Sequence, residues 1–294
     1  MSRKRSASGR RKRGAVAEGN DLLYHYFQKI LLTEDAEQFR LLTTRLVVAL
    51  GVWLPPTAYQ RYPVLVPFAV RDPTCRGSIR HGRPDQWGGA DAEGQFRDDN
   101  SLVKGVPKSL PVQNSNNELL HGKRLGTSFV ASHVWRKLAD GTDGPRRRVT
   151  YSFLPNLVWL PSQLSKLSDR EGSWVQTYLQ ALAVQVYRDL PLAPALQTIV
   201  TPIWAQLPLR SEARGLALPD ADSLNYFTFD EGWLSRRIRT LTSVVRALEE
   251  VSDGRRPEGK VVATRYAPAL AELPPSDVEA LRRDLTGYLQ AVAQ

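Results

Sequence analysis

The stretch LGTSFVASHVWRKLADGTDGPRRRVTYSFLPNLVWLPSQLSKLSD, residues 125–169, decides the fold expected of this chain. Apolar and polar side chains alternate along residues 129–135, and this alternation predicts a strand with His133 near its end. No other stretch of the chain points to a definite chemistry. Both the expected fold and the expected function are therefore inferred from this segment first.

The remainder of the segment predicts a hairpin followed by a helix. Residues 140–145 are rich in turn formers, and residues 149–153 predict a second strand. Asn156 lies 23 positions after His133, and a helix is expected to begin at Pro161 or Ser162. A β-hairpin packed against a helix brings a histidine and an asparagine together within one short segment.

A histidine and an asparagine in such a hairpin have a defined use in phosphodiester hydrolysis. A histidine accepts a proton from water near neutral pH with little adjustment of its pKa. A divalent metal polarises the phosphate and stabilises the leaving oxygen. A side-chain or backbone carbonyl holds the histidine in orientation. The pattern therefore predicts a one-metal nuclease site, although a structural histidine and a turn asparagine are equally compatible with it.

The segment resembles the HNH (His-Me finger, ββα-metal) endonucleases, in the branch that lacks structural zinc cysteines. The matching elements are ASHV at 131–134 and NLVWLPSQLSKLSD at 156–169. The resemblance implies that His133 is the general base and that Asn156 orients it. It covers about 45 residues, and the chain departs from the pattern because the final metal-binding histidine falls on Ser165.

The departure at Ser165 leaves the metal ligands open. A serine hydroxyl is a poorer ligand than imidazole, but magnesium prefers oxygen donors, so a carboxylate can substitute. Asp169 follows four residues later and shares a face with Ser165 if the helix is continuous. Ser165 and Asp169 are therefore the predicted ligands for Mg²⁺ or another divalent metal. His121 and the pair Asp98-Asp99 are further donors that folding can bring near.

Basic residues are concentrated in two places. The net charge is +10, and seven of the basic residues lie within residues 1–13, so the remainder carries +3. An N-terminal cationic arm can contact nucleic-acid phosphates whatever the base sequence, whereas a solvated tail is the alternative. The candidate nucleic-acid contacts are Arg10, Arg11, Lys12 and Arg13 in the arm, and Arg146, Arg147 and Arg148 at the predicted hairpin tip.

Composition restricts the class of protein. With 294 residues, a 42% hydrophobic share and seven tryptophans, the chain is expected to be globular. The one cysteine, Cys75, excludes an intrachain disulfide framework and a cysteine-rich zinc site. No apolar run reaches membrane-spanning length and no hydrophobic signal core follows the basic residues. These features predict a cytoplasmic protein without a membrane partner.

The expected architecture is α+β, mostly helical, around a central ββα-metal (HNH-like) hairpin-helix module. Four regions are predicted: a disordered basic arm at 1–19, a helical and loop-rich region at 20–118, the HNH-like module at 119–190, and a helical region at 191–294.

Three amphipathic helices are predicted outside the module. They begin near residue 34 and end near 50, span 233–251, and span 276–292 with a capping box at Ser276. Short strands are expected at 63–70 and 102–106.

Three functions follow from these patterns. The first is a DNA-acting, metal-dependent HNH-type endonuclease of the restriction or defence kind. The second is a catalytically inactive HNH-like protein that binds nucleic acid or forms a complex, which the serine at position 165 favours. The third is a helical interaction protein in which the hairpin is scaffold. Protein partners and the oligomeric state stay open.

Overall fold

The computed structural model describes residues 35–73, 96–105, 107–113, 117–208, 216–257, 270–271 and 273–294. The chain divides into two compact units, Met1–Leu41 and Leu42–Gln294. The predicted basic arm with Arg10, Arg11, Lys12 and Arg13 lies outside the described residues, as does Cys75. The second unit contains the segment that carries the nuclease resemblance.

Helices predominate, and two small sheets accompany them. The helices are α1 (Ala36–Leu50), α2 (Pro56–Arg61), α3 (Ser101–Gly105), α4 (Arg148–Tyr151), α5 (Ser162–Ser168), α6 (Trp174–Tyr187), α7 (Pro194–Ala205), α8 (Glu231–Ser252) and α9 (Pro275–Val292). The strands are β1 (Val52–Trp53), β2 (Ala69–Arg71), β3 (Phe96–Asp98), β4 (Phe129–His133), β5 (Leu157–Pro161) and β6 (Asn225–Tyr226). The α+β class predicted from the sequence is confirmed.

The larger sheet is mixed and has the strand order β4-β5-β1-β6. Strands β4 and β5 are antiparallel, with Phe129 opposite Pro161 and His133 opposite Leu157. Strand β1 is antiparallel to β5 and parallel to β6. The smaller sheet pairs β2 with β3 in parallel. The main sheet thus joins strands from the regions predicted as 20–118, 119–190 and 191–294.

Strand β5 is the buried centre of the fold. Leu157, Val158 and Leu160 are fully buried, which means that both faces of the strand are covered. Helix α5 begins at the residue after β5 ends, so the backbone runs directly from the sheet into the helix. This direct connection starts α5 beside the beginning of β4, since Pro161 lies opposite Phe129, and α5 then packs against β4.

Helices α6, α8 and α9 contribute buried side chains to the core. Most of α6 is buried, and its Tyr187 hydroxyl donates to the Leu54 carbonyl next to β1. Helices α8 and α9 pack against each other. No helix in the described part of the chain is long and apolar enough to cross a membrane.

The second strand of the hairpin is not where the sequence predicts it. Residues 148–151 form helix α4, and the strand that pairs with β4 is β5, after Asn156 instead of before it. The alternation at 149–153 was a misleading signal because its polar side chains are buried and bonded: the Thr150 hydroxyl donates to the Gly144 carbonyl, and the Ser152 hydroxyl accepts from the Val66 N–H. The apolar run of β5 shows no alternation because both of its faces are buried.

Other predictions have mixed outcomes. The three long helices are confirmed as α1, α8 and α9. The strand expected at 102–106 is wrong, because Ser101–Gly105 is helical. The capping box is also wrong, since α9 begins at Pro275 and Pro274 occupies its N-cap without a side-chain bond. The helix expected from Pro161 or Ser162 begins at Ser162 and ends at Ser168, so Asp169 lies just beyond it.

Candidate functional site

A small cavity lies where β4 ends, beside α5 and α3. We call it the His133 cavity, and its volume is about 140 Å³. Its lining residues come from five parts of the chain: Arg71, Asn100, Lys104, Val130, Ala131, Ser132, His133, Arg136, Ser162, Ser165, Lys166 and Asp169. The structure therefore places His133, Ser165 and Asp169 in the lining of one cavity.

His133 is held in a single tautomer. Its Nε2 atom lies 3.0 Å from the carbonyl oxygen of Tyr151. Because a carbonyl oxygen only accepts, Nε2 must carry the ring hydrogen, and Nδ1 then keeps its lone pair. The imidazole also stacks on the Tyr151 ring, with centroids 5.8 Å apart. A backbone carbonyl and a stacked ring thus orient this histidine, and Nδ1 is the atom that can accept a proton.

The surroundings of His133 keep it neutral. The side chain is buried, and desolvation lowers its pKa to about 3, with the positive charge of Arg71 contributing in the same direction. A base with so low a pKa takes a proton from water weakly at neutral pH. An anion in the cavity would raise that pKa by stabilising the imidazolium, so proton acceptance here depends on what the cavity holds.

Asn156 braces the loop between the two strands. It is fully buried, its Oδ1 accepts from the Trp135 backbone N–H at 2.6 Å, and its Nδ2 donates to the Thr150 carbonyl at 2.8 Å. The side chain makes no bond to the imidazole itself. Asn156 therefore affects His133 indirectly. It fixes the backbone at Trp135, shortly after His133, and at Thr150, just before Tyr151.

The two predicted metal ligands are present in the cavity but are engaged. The Ser165 hydroxyl donates to the Ser162 carbonyl at 2.8 Å. Asp169 directly follows α5, and its carboxylate pairs with Arg136 at 3.1 Å and with Lys166 at 3.4 Å. Within the described ranges, no three His, Cys, Asp or Glu side chains come together as a metal-binding group. One carboxylate already held by two cations does not fit a divalent metal well.

Positive charge dominates the cavity. Four cationic side chains line it, against the single carboxylate of Asp169: Arg71, Lys104, Arg136 and Lys166. Like charges gathered around a partly desolvated space repel one another and attract an anion. The buried Ser132 hydroxyl of the same lining has no hydrogen-bond partner among the described residues and can donate to an anion, whereas the unpartnered Asn100 Oδ1 can only accept. The arrangement is therefore that of an anion site more than of a cation site.

The structure adds a buried carboxylate that the sequence pattern concealed. Asp98, named from the sequence only as a further donor, is fully buried. It accepts from the Tyr151 hydroxyl at 2.5 Å, from the Ser101 hydroxyl at 2.9 Å and from the Leu102 N–H at 3.0 Å. Burial raises the pKa of Asp98, while these bonds oppose that rise. Asp98 thus anchors Tyr151, whose carbonyl holds His133.

We expect Tyr151→Phe to lower the free energy of unfolding by about 2 kcal/mol, because it removes a bond to a buried carboxylate. Tyr226→Phe is the matched control, since its hydroxyl donates to the neutral carbonyl of Ala221 at a partly buried position. Urea unfolding of both variants at pH 7 measures the difference. Equal losses would show that Asp98 contributes no more than a neutral acceptor.

The basic run at 146–148 does not form a hairpin tip. Arg147 pairs with Asp140 at 2.6 Å, and Arg148 pairs with Asp284 of α9 at 2.6 Å. Arg146 is 68% exposed and lies 3.5 Å from Asp143. Two of the three guanidinium groups therefore have close carboxylate partners that hold the loop in place, and Arg146 is the most accessible to a phosphate.

Comparisons of the chain with protein-family models, with curated proteins and with solved structures found no match. The likeness to the HNH endonucleases therefore stays a prediction that rests on residues 125–169. The observations that bear on function are the tautomer of His133 and the charge of its cavity.

Proposed function

We propose that this protein binds nucleic acid, DNA in the first instance, and that the His133 cavity receives a backbone phosphate. The observation that carries the proposal is the charge of the cavity, where four cations face one carboxylate. Basic side chains that neutralise phosphates supply most of the sequence-independent affinity of proteins for nucleic acid. A site of this composition contacts the backbone and not the base edges, so it positions a strand without selecting a sequence.

Lys104 gives the cleanest test. Its ammonium makes no ion pair with the part of the chain that the structure describes, so its removal takes away charge without exposing a partner. We expect Lys104→Ala to weaken binding of a labelled DNA duplex at low salt and to reduce the slope of log affinity against log salt by about 1. Fluorescence anisotropy across a salt series measures both quantities.

Lys123→Ala is the control for that experiment, because Lys123 is exposed and lines none of the cavities around His133. The proposal requires the control to behave as the wild-type protein. Equal effects of the two substitutions would indicate diffuse surface charge, and absence of any salt-sensitive binding would exclude a nucleic-acid function.

A second candidate function is the HNH-type endonuclease, with Mg²⁺ or another divalent metal. The tautomer of His133 favours it, because Nδ1 is a hydrogen-bond acceptor. A phosphodiester oxygen also only accepts, so the natural neighbour of Nδ1 is a water molecule beside the phosphate. Such a water is placed as an attacking nucleophile is in hydrolysis. The poor fit of the oxygen donors to a metal argues against this candidate.

Supercoiled plasmid separates the two candidates. The endonuclease requires nicking in the presence of Mg²⁺ or Mn²⁺, its loss on addition of EDTA, and its loss in His133→Ala. The binding protein requires intact plasmid under all of these conditions and salt-sensitive binding that persists in His133→Ala. The stability of each variant is measured in parallel, since His133 is buried and its replacement also affects folding.

A further inference from the structure

A second concavity adjoins the His133 cavity and is the strongest feature that the proposed function does not use. We call it the Arg146 cavity. It has a volume of about 220 Å³ and is lined by Arg71, Pro73, Arg136, Asp143, Pro145 and Arg146. Arg71 and Arg136 belong to the linings of both cavities. The two cavities are therefore neighbours across a shared pair of guanidinium groups.

The charge of the Arg146 cavity also favours an anion. Three arginines line it against one carboxylate, Asp143. That carboxylate is neutralised mainly by Lys137, whose ammonium lies 2.6 Å away, while Arg146 lies at 3.5 Å. Arg146 is thus loosely held and solvent-accessible, which leaves its planar group able to turn toward a phosphate and bind it in bidentate fashion.

A third cavity nearby does not share this character. It is larger, about 740 Å³, and lies between the loop at 137–149 and helix α9. Its lining contains three carboxylates, on Asp143, Asp277 and Asp284, against four cations, Lys137, Arg146, Arg147 and Arg148. Charges of the two signs nearly balance there, and α9 presents carboxylates that repel a phosphate backbone. Of the three cavities, the His133 cavity and the Arg146 cavity have the larger excess of positive charge. We call these two neighbouring cavities the basic path.

We infer that the Arg146 cavity is a second phosphate subsite, which binds a phosphate of the same strand next to the one in the His133 cavity. This inference rests on the proposed function and gives it a ligand class: a polynucleotide, held by neighbouring phosphates of one strand, and not a mononucleotide. Arg71 and Arg136 stand between the two phosphates and contact both. Arg146 closes the outer end of the path.

Adjacent arginines supply a matched pair of variants for the test. Arg146→Ala removes the accessible guanidinium of the second subsite, and Arg147→Ala removes one that is tied to Asp140 at 2.6 Å and to Thr142. Both residues are exposed, and Arg146→Lys preserves the charge if the alanine variant folds poorly. The probe is a fluorescently labelled oligonucleotide duplex, titrated at several salt concentrations with the full-length protein.

We expect Arg146→Ala to weaken binding by about 10-fold at low salt and to reduce the salt slope by about 0.9, the contribution of one phosphate. Arg147→Ala and Arg146→Lys are expected to keep the slope of the wild-type protein. If Arg146→Ala equals Arg147→Ala while Lys104→Ala still weakens binding, the second subsite is excluded and the proposed function stands. If the wild-type protein binds no nucleic acid, both are excluded.

Discussion

Asn156→Asp is expected to lower the free energy of unfolding by roughly 3–5 kcal/mol at pH 7, because it places a charge in a fully buried position. The bond from the Trp135 N–H survives the exchange. The bond to the Thr150 carbonyl is lost. The amide nitrogen that donates at 2.8 Å is replaced by a carboxylate oxygen, which faces the carbonyl oxygen without a hydrogen to share. The loop therefore loses its brace at Thr150, the residue before Tyr151, and the orientation of His133 is expected to be lost together with the stability.

Two further variants make that experiment specific. Asn156→Ala leaves a buried donor and a buried acceptor unsatisfied, and we expect a loss of about 3 kcal/mol. Asn117→Asp is the matched control, since the Asn117 amide also donates to a backbone carbonyl, that of Ala49, but does so at an exposed site. We expect it to cost less than about 1 kcal/mol. Urea unfolding followed by circular dichroism ranks the three variants.

The pH dependence of Asn156→Asp carries a second, independent signature. Protonation of the introduced carboxyl restores a donor toward the Thr150 carbonyl and removes the buried charge. The destabilisation relative to the wild-type protein is therefore expected to shrink as the pH falls from 7 toward 5, because a buried carboxyl has a raised pKa. A pH-independent loss no larger than that of Asn117→Asp would contradict the bracing role of Asn156.

Acidification is expected to destabilise the protein through His133. In the unfolded chain a histidine has a pKa near 6.5, whereas burial lowers the pKa of His133 to about 3 in the folded protein. Between these values the unfolded state binds a proton that the folded state does not, so stability is full above about 6.5 and falls as the pH drops toward 3. At pH 4.5 the expected loss is about 3 kcal/mol.

His133→Gln isolates this effect from the titration of other groups. Glutamine does not titrate and can still donate to the Tyr151 carbonyl. The wild-type protein is therefore expected to lose about 3 kcal/mol more than the variant between pH 7 and pH 4.5. The measurement is urea unfolding of both proteins at the two pH values. Equal losses of stability in the two proteins would mean that His133 is protonated in the folded state at pH 4.5. That result would contradict a buried, neutral His133.

Local patterns were sufficient for the parts of the site that lie close together in sequence. The alternation of residues ending at His133 predicted β4. The spacing of apolar residues after Pro161 predicted a helix, which is α5 in the structure. The placement of Ser165 and Asp169 near His133 followed from the same segment. The predicted strand at 149–153 failed because its polar side chains are buried and bonded in the interior, and spacing alone does not distinguish these from the exposed face of a strand.

The sequence by itself determined the α+β class, the long helices and the histidine that centres the candidate site, since periodicity and chain proximity are local properties. Only the tertiary structure decided the character of that site. Arg71 and Lys104 reach the cavity from β2 and α3, which are far away in sequence. Their charges make positive charge predominate in a cavity for which the sequence predicted metal ligands. The pairing of β3 with β2 places Asp98 in the interior. The electrostatic potential of a cavity depends on distances in space between charges, and no one-dimensional spacing specifies them.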